Sequence, residues 1–146
     1  MTTQIAKVTD MINQYVESIG LTPEAVYNSE KKIWRWRKGS ANIEVFIQTI
    51  GFEKGGARDY LRIFSPLMKI PVNDLLSFYK HLLHLNDTNL GVKITIMPGS
   101  EWVYATYERD IVGISYDEVK TCIGDMEWWA DTLDDQLKKQ FELAGP

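Results

Sequence analysis

The chain has 146 residues, 45% of them hydrophobic and 25% charged, with 16 basic and 20 acidic side chains and a net charge of −4. That length suits one domain spanning 1–146, which buries roughly 70% of the surface of its unfolded form and needs no disulfide or metal to hold it. The negative charge repels phosphate backbones, so general nucleic-acid and anionic-membrane binding are not expected.

At the start of the chain, Met1-Thr2-Thr3-Gln4 lacks the basic and apolar regions of a secretory signal, and no apolar run approaches the ~20 residues a membrane span needs. The expected location is cytoplasmic. Ile5, Val8, Ile12, Tyr15, Val16 and Ile19 then recur at three- and four-residue spacing, which predicts an amphipathic helix ended by Gly20 and Pro23. Residues 32–38 and 42–50 are rich in β-branched and aromatic side chains and flank Lys38-Gly39-Ser40-Ala41, a hairpin pattern. A flexible loop over 51–56 leads to a third strand over 59–64, after which Pro66 and Pro71 interrupt the chain.

Asn73 stands where it can cap a helix carrying Leu75, Leu76, Tyr79, Leu82 and Leu83 on one stripe and ending near Asn86. Residues 92–97 and 102–108 alternate around Pro98-Gly99, a second hairpin. Ser115-Tyr116-Asp117-Glu118 fits a capping box, in which hydroxyl and carboxylate each satisfy a free backbone amide of the other residue. The helix it opens, about 26 residues or ~39 Å long, carries Val119, Cys122, Ile123, Met126, Ala130, Leu133 and Leu137 as its apolar stripe. The order is αβββαββα. Hairpin-linked strands with segregated helices predict an α+β domain, a largely antiparallel five-stranded sheet with helices packed on it.

This order resembles the type III secretion chaperone-like fold and the YbjN-like families that share it. Locally the resemblance rests on Leu82-Leu83-His84-Leu85-Asn86 followed by Gly91 opening a strand, on the aromatic second hairpin, and on Trp128-Trp129-Ala130-Asp131 in the closing helix. It implies a small, acidic, usually dimeric protein that binds other polypeptides and carries out no chemistry. It supplies no catalytic residue and no cofactor. The basic stretch from Lys31 to Lys38 departs from what a secretion chaperone would be expected to carry.

A search for chemistry among the residues gives the same expectation of no enzyme. His81 and His84 are three apart, but the sequence around them supplies no HExxH glutamate, no Cys and no second His pair, so no metal site is expected. Cys122, the sole cysteine, lies on the apolar stripe of the last helix and reads as a core residue. Gly113-Ile114-Ser115-Tyr116-Asp117 begins like a hydrolase elbow but lacks the closing Gly, and Ser115 is better used as a helix cap. The glycines of 51–56 precede a strand and cannot aim a helix N-terminus at phosphate. Asp125, Glu127, Asp131, Asp134 and Asp135 read as a solvated helix face.

Two binding surfaces remain. Lys31, Lys32, Arg35, Arg37 and Lys38 interleave with Trp34 and Trp36, a composition suited to single-stranded nucleic acid. If the first hairpin pairs Trp36 with Ile43 and Trp34 with Val45, both rings face the core and Arg35 lies opposite Glu44 on the other face, so nucleic-acid binding stands only as the alternative function. In the second hairpin a four-residue loop pairs Ile96 with Val103, Ile94 with Ala105 and Val92 with Tyr107, turning Met97, Trp102, Thr95 and Tyr104 outward. The same alternation turns Ile33, Phe46, Tyr60 and Phe64 outward. A solvated sheet face should be mostly polar, so Phe46, Trp102 and Tyr104 are expected to belong to a self-association or partner surface, with Arg35 and Arg62 on its rim.

Overall fold

In a computed structural model describing residues 3–89 and 91–142, the first apolar period forms α1 (Thr3–Ser18), which buries Val8, Ile12, Tyr15 and Val16. Met1 and Thr2 of the leading segment lie outside the described residues. A one-turn helix α2 (Pro23–Val26), with Pro at its first position, runs directly into the two-residue strand β1 (Tyr27–Asn28). Elements this short hold no measurable period, so neither was anticipated, and β1 makes the sheet six-stranded instead of five-stranded.

The first hairpin joins β2 (Ile33–Lys38) to β3 (Ala41–Gly51), and its pairs include Trp36↔Ile43, Trp34↔Val45 and Arg35↔Glu44, as alternation requires. The next strand, β4 (Ala57–Lys69), outruns the expected 59–64. It continues through Pro66 because the ladder shifts between Pro66 and Met68, a bulge where a residue without an N–H does no harm.

Two expectations about the middle helix, α3 (Leu75–Thr88), need correction. Asn73 does not cap it; Asp74 precedes it in the left-handed region (φ 57°) with no side-chain cap bond. Of the expected stripe only Leu82 is buried, together with Phe78, while Leu75, Leu76, Tyr79 and Leu83 are exposed. The physical reason is position, since α3 flanks the sheet edge beside β5 (Lys93–Ile96) and has only a narrow face to bury. Asn86 in its last turn accepts the Ile94 N–H at 2.6 Å and donates to the Ile94 carbonyl at 3.2 Å. Its amide thus replaces a neighbouring strand's peptide group and closes the outer edge of β5.

β5 pairs with β6 (Trp102–Asp110) through Ile94↔Ala105 and Ile96↔Val103, the expected register, although Val92 falls short of the ladder. The Ser115–Glu118 capping box opens α4 (Tyr116–Leu137), shorter than expected because it ends in a π-helical turn, Lys138–Glu142. Phe141 of that turn meets the Phe78 ring at 4.9 Å. The sheet is antiparallel throughout in the order β1-β2-β3-β4-β6-β5, and α4 lies across β3, β4 and β6 with α1 beside it. All seven residues of the predicted α4 stripe are in the core.

Two carboxylates expected on a solvated face, Glu127 and Asp134, are buried. Asp134 is held by Lys138 one turn on, at 2.8 Å. Glu127 accepts hydrogen bonds from the Tyr15 hydroxyl and, at 3.0 Å, from Trp36 Nε1, tying α1, β2 and α4 together at one point. Burial and then the adjoining carboxylate push the Tyr15 phenol well above its ordinary pKa, so it remains the donor. Replacing Glu127 with Ala leaves both donors unpaired in the core, an expected cost of about 3 kcal/mol. Urea denaturation checks this: the midpoint should fall with its slope preserved, and an unchanged midpoint would show that the carboxylate is dispensable.

Candidate partner-binding surface

Strand alternation sends Trp34, Val45, Ile63 and Ala105 toward α4, and Phe46, Phe64, Tyr104 and Trp102 to the other face. Among the described residues no helix packs on that second face. Its aromatic residues form a diagonal across three strands. Phe46 of β3 meets Phe64 of β4 edge-on at 5.4 Å, and Phe64 meets Tyr104 of β6 at 6.1 Å. Trp102 follows two residues along β6 and is 37% exposed.

The Arg62 guanidinium lies 4.6 Å above the Phe64 ring and 5.9 Å from Phe46, a stacking that needs a planar cation. It is fixed there by Glu108 at 3.0 Å and by the Gln48 side-chain oxygen at 2.7 Å, and Lys93 reaches Glu108 from the next strand. Lys93 first, with Arg62 in support, holds the Glu108 carboxyl below its ordinary pKa. Arg35 lies one row over, paired with Glu44 at 2.7 Å. Phe46, Tyr104, Trp102 and Arg62 therefore share one surface, with Arg35 at its side.

Sequence reasoning missed two features. Phe64, which alternation turned outward but which was not counted with the surface, sits at the centre of the diagonal and is almost covered by its neighbours. The second is the outer side of α3, where Leu76 and Leu83 are 84% and 68% exposed with Tyr79 between them, preceded in the chain by exposed Val72. The signal was there: residues 75, 78, 82 and 85 make one apolar stripe, and 76, 79 and 83 make a second.

The remaining candidates have local explanations. Trp34 and Trp36 are buried, so their rings offer no stacking surface to nucleic acid, while Lys31, Lys32, Arg37 and Lys38 are exposed. The His81 ring packs 5.6 Å from Phe141, and His84 faces solvent. Ser115 accepts the Glu118 N–H as a helix cap. Residues 51–56 turn the chain from β3 into β4.

No family model matches the chain, and neither does any curated protein. Solved structures do. A chain of the HopA1–SchA chaperone–effector complex is similar at a TM-score of 0.64 and 11% identity, over 92% of this chain and 98% of that one. A chain of the heterodimeric ExoU–SpcU complex from the type III secretion system of Pseudomonas aeruginosa is similar at 0.61 and 14% identity, over 88% and 98%. This is the type III secretion chaperone-like fold. The E. coli protein YbjN has the same chaperone-like fold, with a TM-score of 0.55 and 9% identity over 88% of this chain and 92% of that one. At such identities the likeness is one of fold.

Cys122 provides a test of the face beneath the sheet. Its thiol is buried beside the Tyr107 hydroxyl, burial raises its pKa, and burial together with the thiol pushes the Tyr107 phenol up to about 12. Both groups stay protonated near neutral pH, so a thiol-specific reagent should react with Cys122 only after denaturation. Rapid labelling of the native protein would contradict its place in the core.

Proposed function

We propose that this protein is a non-enzymatic polypeptide-binding module of chaperone or adaptor type that acts as a homodimer. The observation that carries the reading is the aromatic diagonal Phe46–Phe64–Tyr104, continued by Trp102, on a sheet face without helical cover. An antiparallel sheet open to water on one side normally alternates apolar-in and polar-out, and large rings outward make a patch suited to a partner. Rings with few rotatable bonds, flanked by Arg62 and Arg35, are the side chains that dominate protein interfaces. The chaperone–effector complex of similar fold supports a polypeptide as the ligand.

Self-association is assigned to a different surface. Leu76, Tyr79 and Leu83 recur at three- and four-residue spacing along the outer side of α3, which lies at the sheet edge, and exposed Val72 precedes the helix. A straight apolar stripe on one helix is complementary to itself when two copies pack across a two-fold axis. Each leucine buried in that way contributes about 2 kcal/mol, and symmetry doubles the count. The two surfaces are separate, so the dimer can form while the sheet face stays free for a partner.

Substitutions separate the two roles. Leu76→Asp with Leu83→Asp should halve the mass measured by light scattering and leave the circular dichroism spectrum intact; an unchanged mass would remove α3 from the interface. Trp102→Ser with Tyr104→Ser should abolish recovery of the bound polypeptide without altering mass or fold. If that double variant unfolds, the outer face is core and the surface assignment is wrong.

A further inference from the structure

The aromatic diagonal ends at a cleft. β3 pairs with β4 only from Glu44↔Phe64 onward, and β4 then meets Pro66 and its bulge, so residues 41–43 pair with β2 alone. The space left between the strands is a cleft of about 380 Å³, lined by Arg35, Arg37, Asn42, Glu44 and Pro66 of the outer face and by the inward-facing Trp36 and Ile43 between them. Pro66 stands opposite Tyr104 and Glu44 opposite Phe64, which makes the cleft continuous with the aromatic surface.

Its charge is specific. Arg35 is neutralised by Glu44 through hydrogen bonds at 2.7 and 2.8 Å, whereas the Arg37 guanidinium has no ion pair or hydrogen bond among the described residues. Arg37 faces Asn42 across the ladder, so an uncommitted cation and a neutral amide flank the same opening. One free positive charge with Glu44 beside it matches a single carboxylate and disfavours a doubly charged phosphate.

Resting on the reading of the sheet face as a polypeptide-binding surface, we propose that this cleft is a carboxylate subsite, in which Arg37 and Asn42 receive an Asp or Glu side chain of the bound polypeptide. The geometry also sets a spacing. Arg37 and Tyr104 are three strands apart, about 14 Å at ~4.8 Å per strand, which an extended segment crosses in about four residues. The partner segment therefore carries an acidic residue about four positions from the apolar residue that lies on Tyr104. The local charge opposes the chain's overall −4, which favours acidic segments over the basic ones that net charge alone would attract.

A test uses capped nonapeptides with Leu at positions 4, 6 and 8, Ser elsewhere, and either Glu or Gln at position 2. Titration followed by 1H–15N spectra should show the Glu peptide shifting the amides of residues 42–44 and of 102–106, with the Gln peptide and the Arg37→Gln variant each weakening binding on the order of tenfold. Arg37 is exposed, so its substitution leaves the fold unchanged. Equal affinity for the two peptides with shifts confined to 102–106 would overturn the carboxylate subsite and leave the sheet-face reading standing. No shift on the face with either peptide would overturn both. If a short oligothymidylate moves the 42–44 amides as strongly as the Glu peptide does, the cleft is an anion site for nucleic acid and the proposal fails.

Discussion

A six-stranded sheet has two faces, and among the described residues α4 and α1 together cover only one of them. α4 and α1 spend their apolar stripes on one side, and α3 is drawn to the β5 edge, where Asn86 ties it to Ile94. Among the described residues, the other face is left to side chains alone. The proposed function rests on that shortage of cover, because the uncovered face carries rings where a free-standing domain would carry polar residues. The outer stripe of α3 has the same origin, since a helix at an edge has more surface than the sheet can take.

The covered side is held in register by a few polar contacts inside a large apolar core. Glu127 joins α1, β2 and α4 through two donors. The tip of the first hairpin is pinned to α4 as well: Asp131 accepts from the Ser40 N–H at 3.0 Å and from its hydroxyl at 2.9 Å. Gly39 permits this approach, because a Cβ there would lie 2.5 Å from the Asp131 carboxylate and φ is +60°. With β2 fixed at its tip and middle, Arg35 and Arg37 are presented on the outer face by a rigid strand instead of a mobile arm, which suits recognition of a partner.

Much of this could be read from the residues, and the failures have specific causes. Alternation fixed the first hairpin's pairs because a one-residue slip would have placed Trp34 and Trp36 in water and Arg35 in the core. The capping box and α4 stripe were legible for the same reason, several local signals agreeing. α3 was misread because residues 75–85 hold two apolar stripes, and a periodicity cannot say which of two the tertiary structure will cover. Glu127 and Asp134 were misplaced because a carboxylate's burial depends on donors more than ninety residues away or on one lysine a turn along, and neither shows in a charge run. On the open sheet face, the outward direction of Phe46, Trp102, Tyr104 and Arg62 was legible from register. Phe64 was turned outward by the same alternation, whereas the cleft at Pro66 depended on a bulge that no pattern announced.

The central claim is that the bound polypeptide lies on the open sheet face and not on the helices. Trp102 of that face and Trp128 of α4 are both exposed in the isolated chain, at 37% and 60%, and serve as paired reporters. Hydroxyl-radical footprinting of the protein, alone and with the Glu-containing nonapeptide, compares them in one sample. Labelling of Trp102 and Tyr104 should drop several-fold on binding while Trp128 stays as reactive as before. Protection of Trp128 with Trp102 unchanged would place the partner on the helical side and contradict the claim.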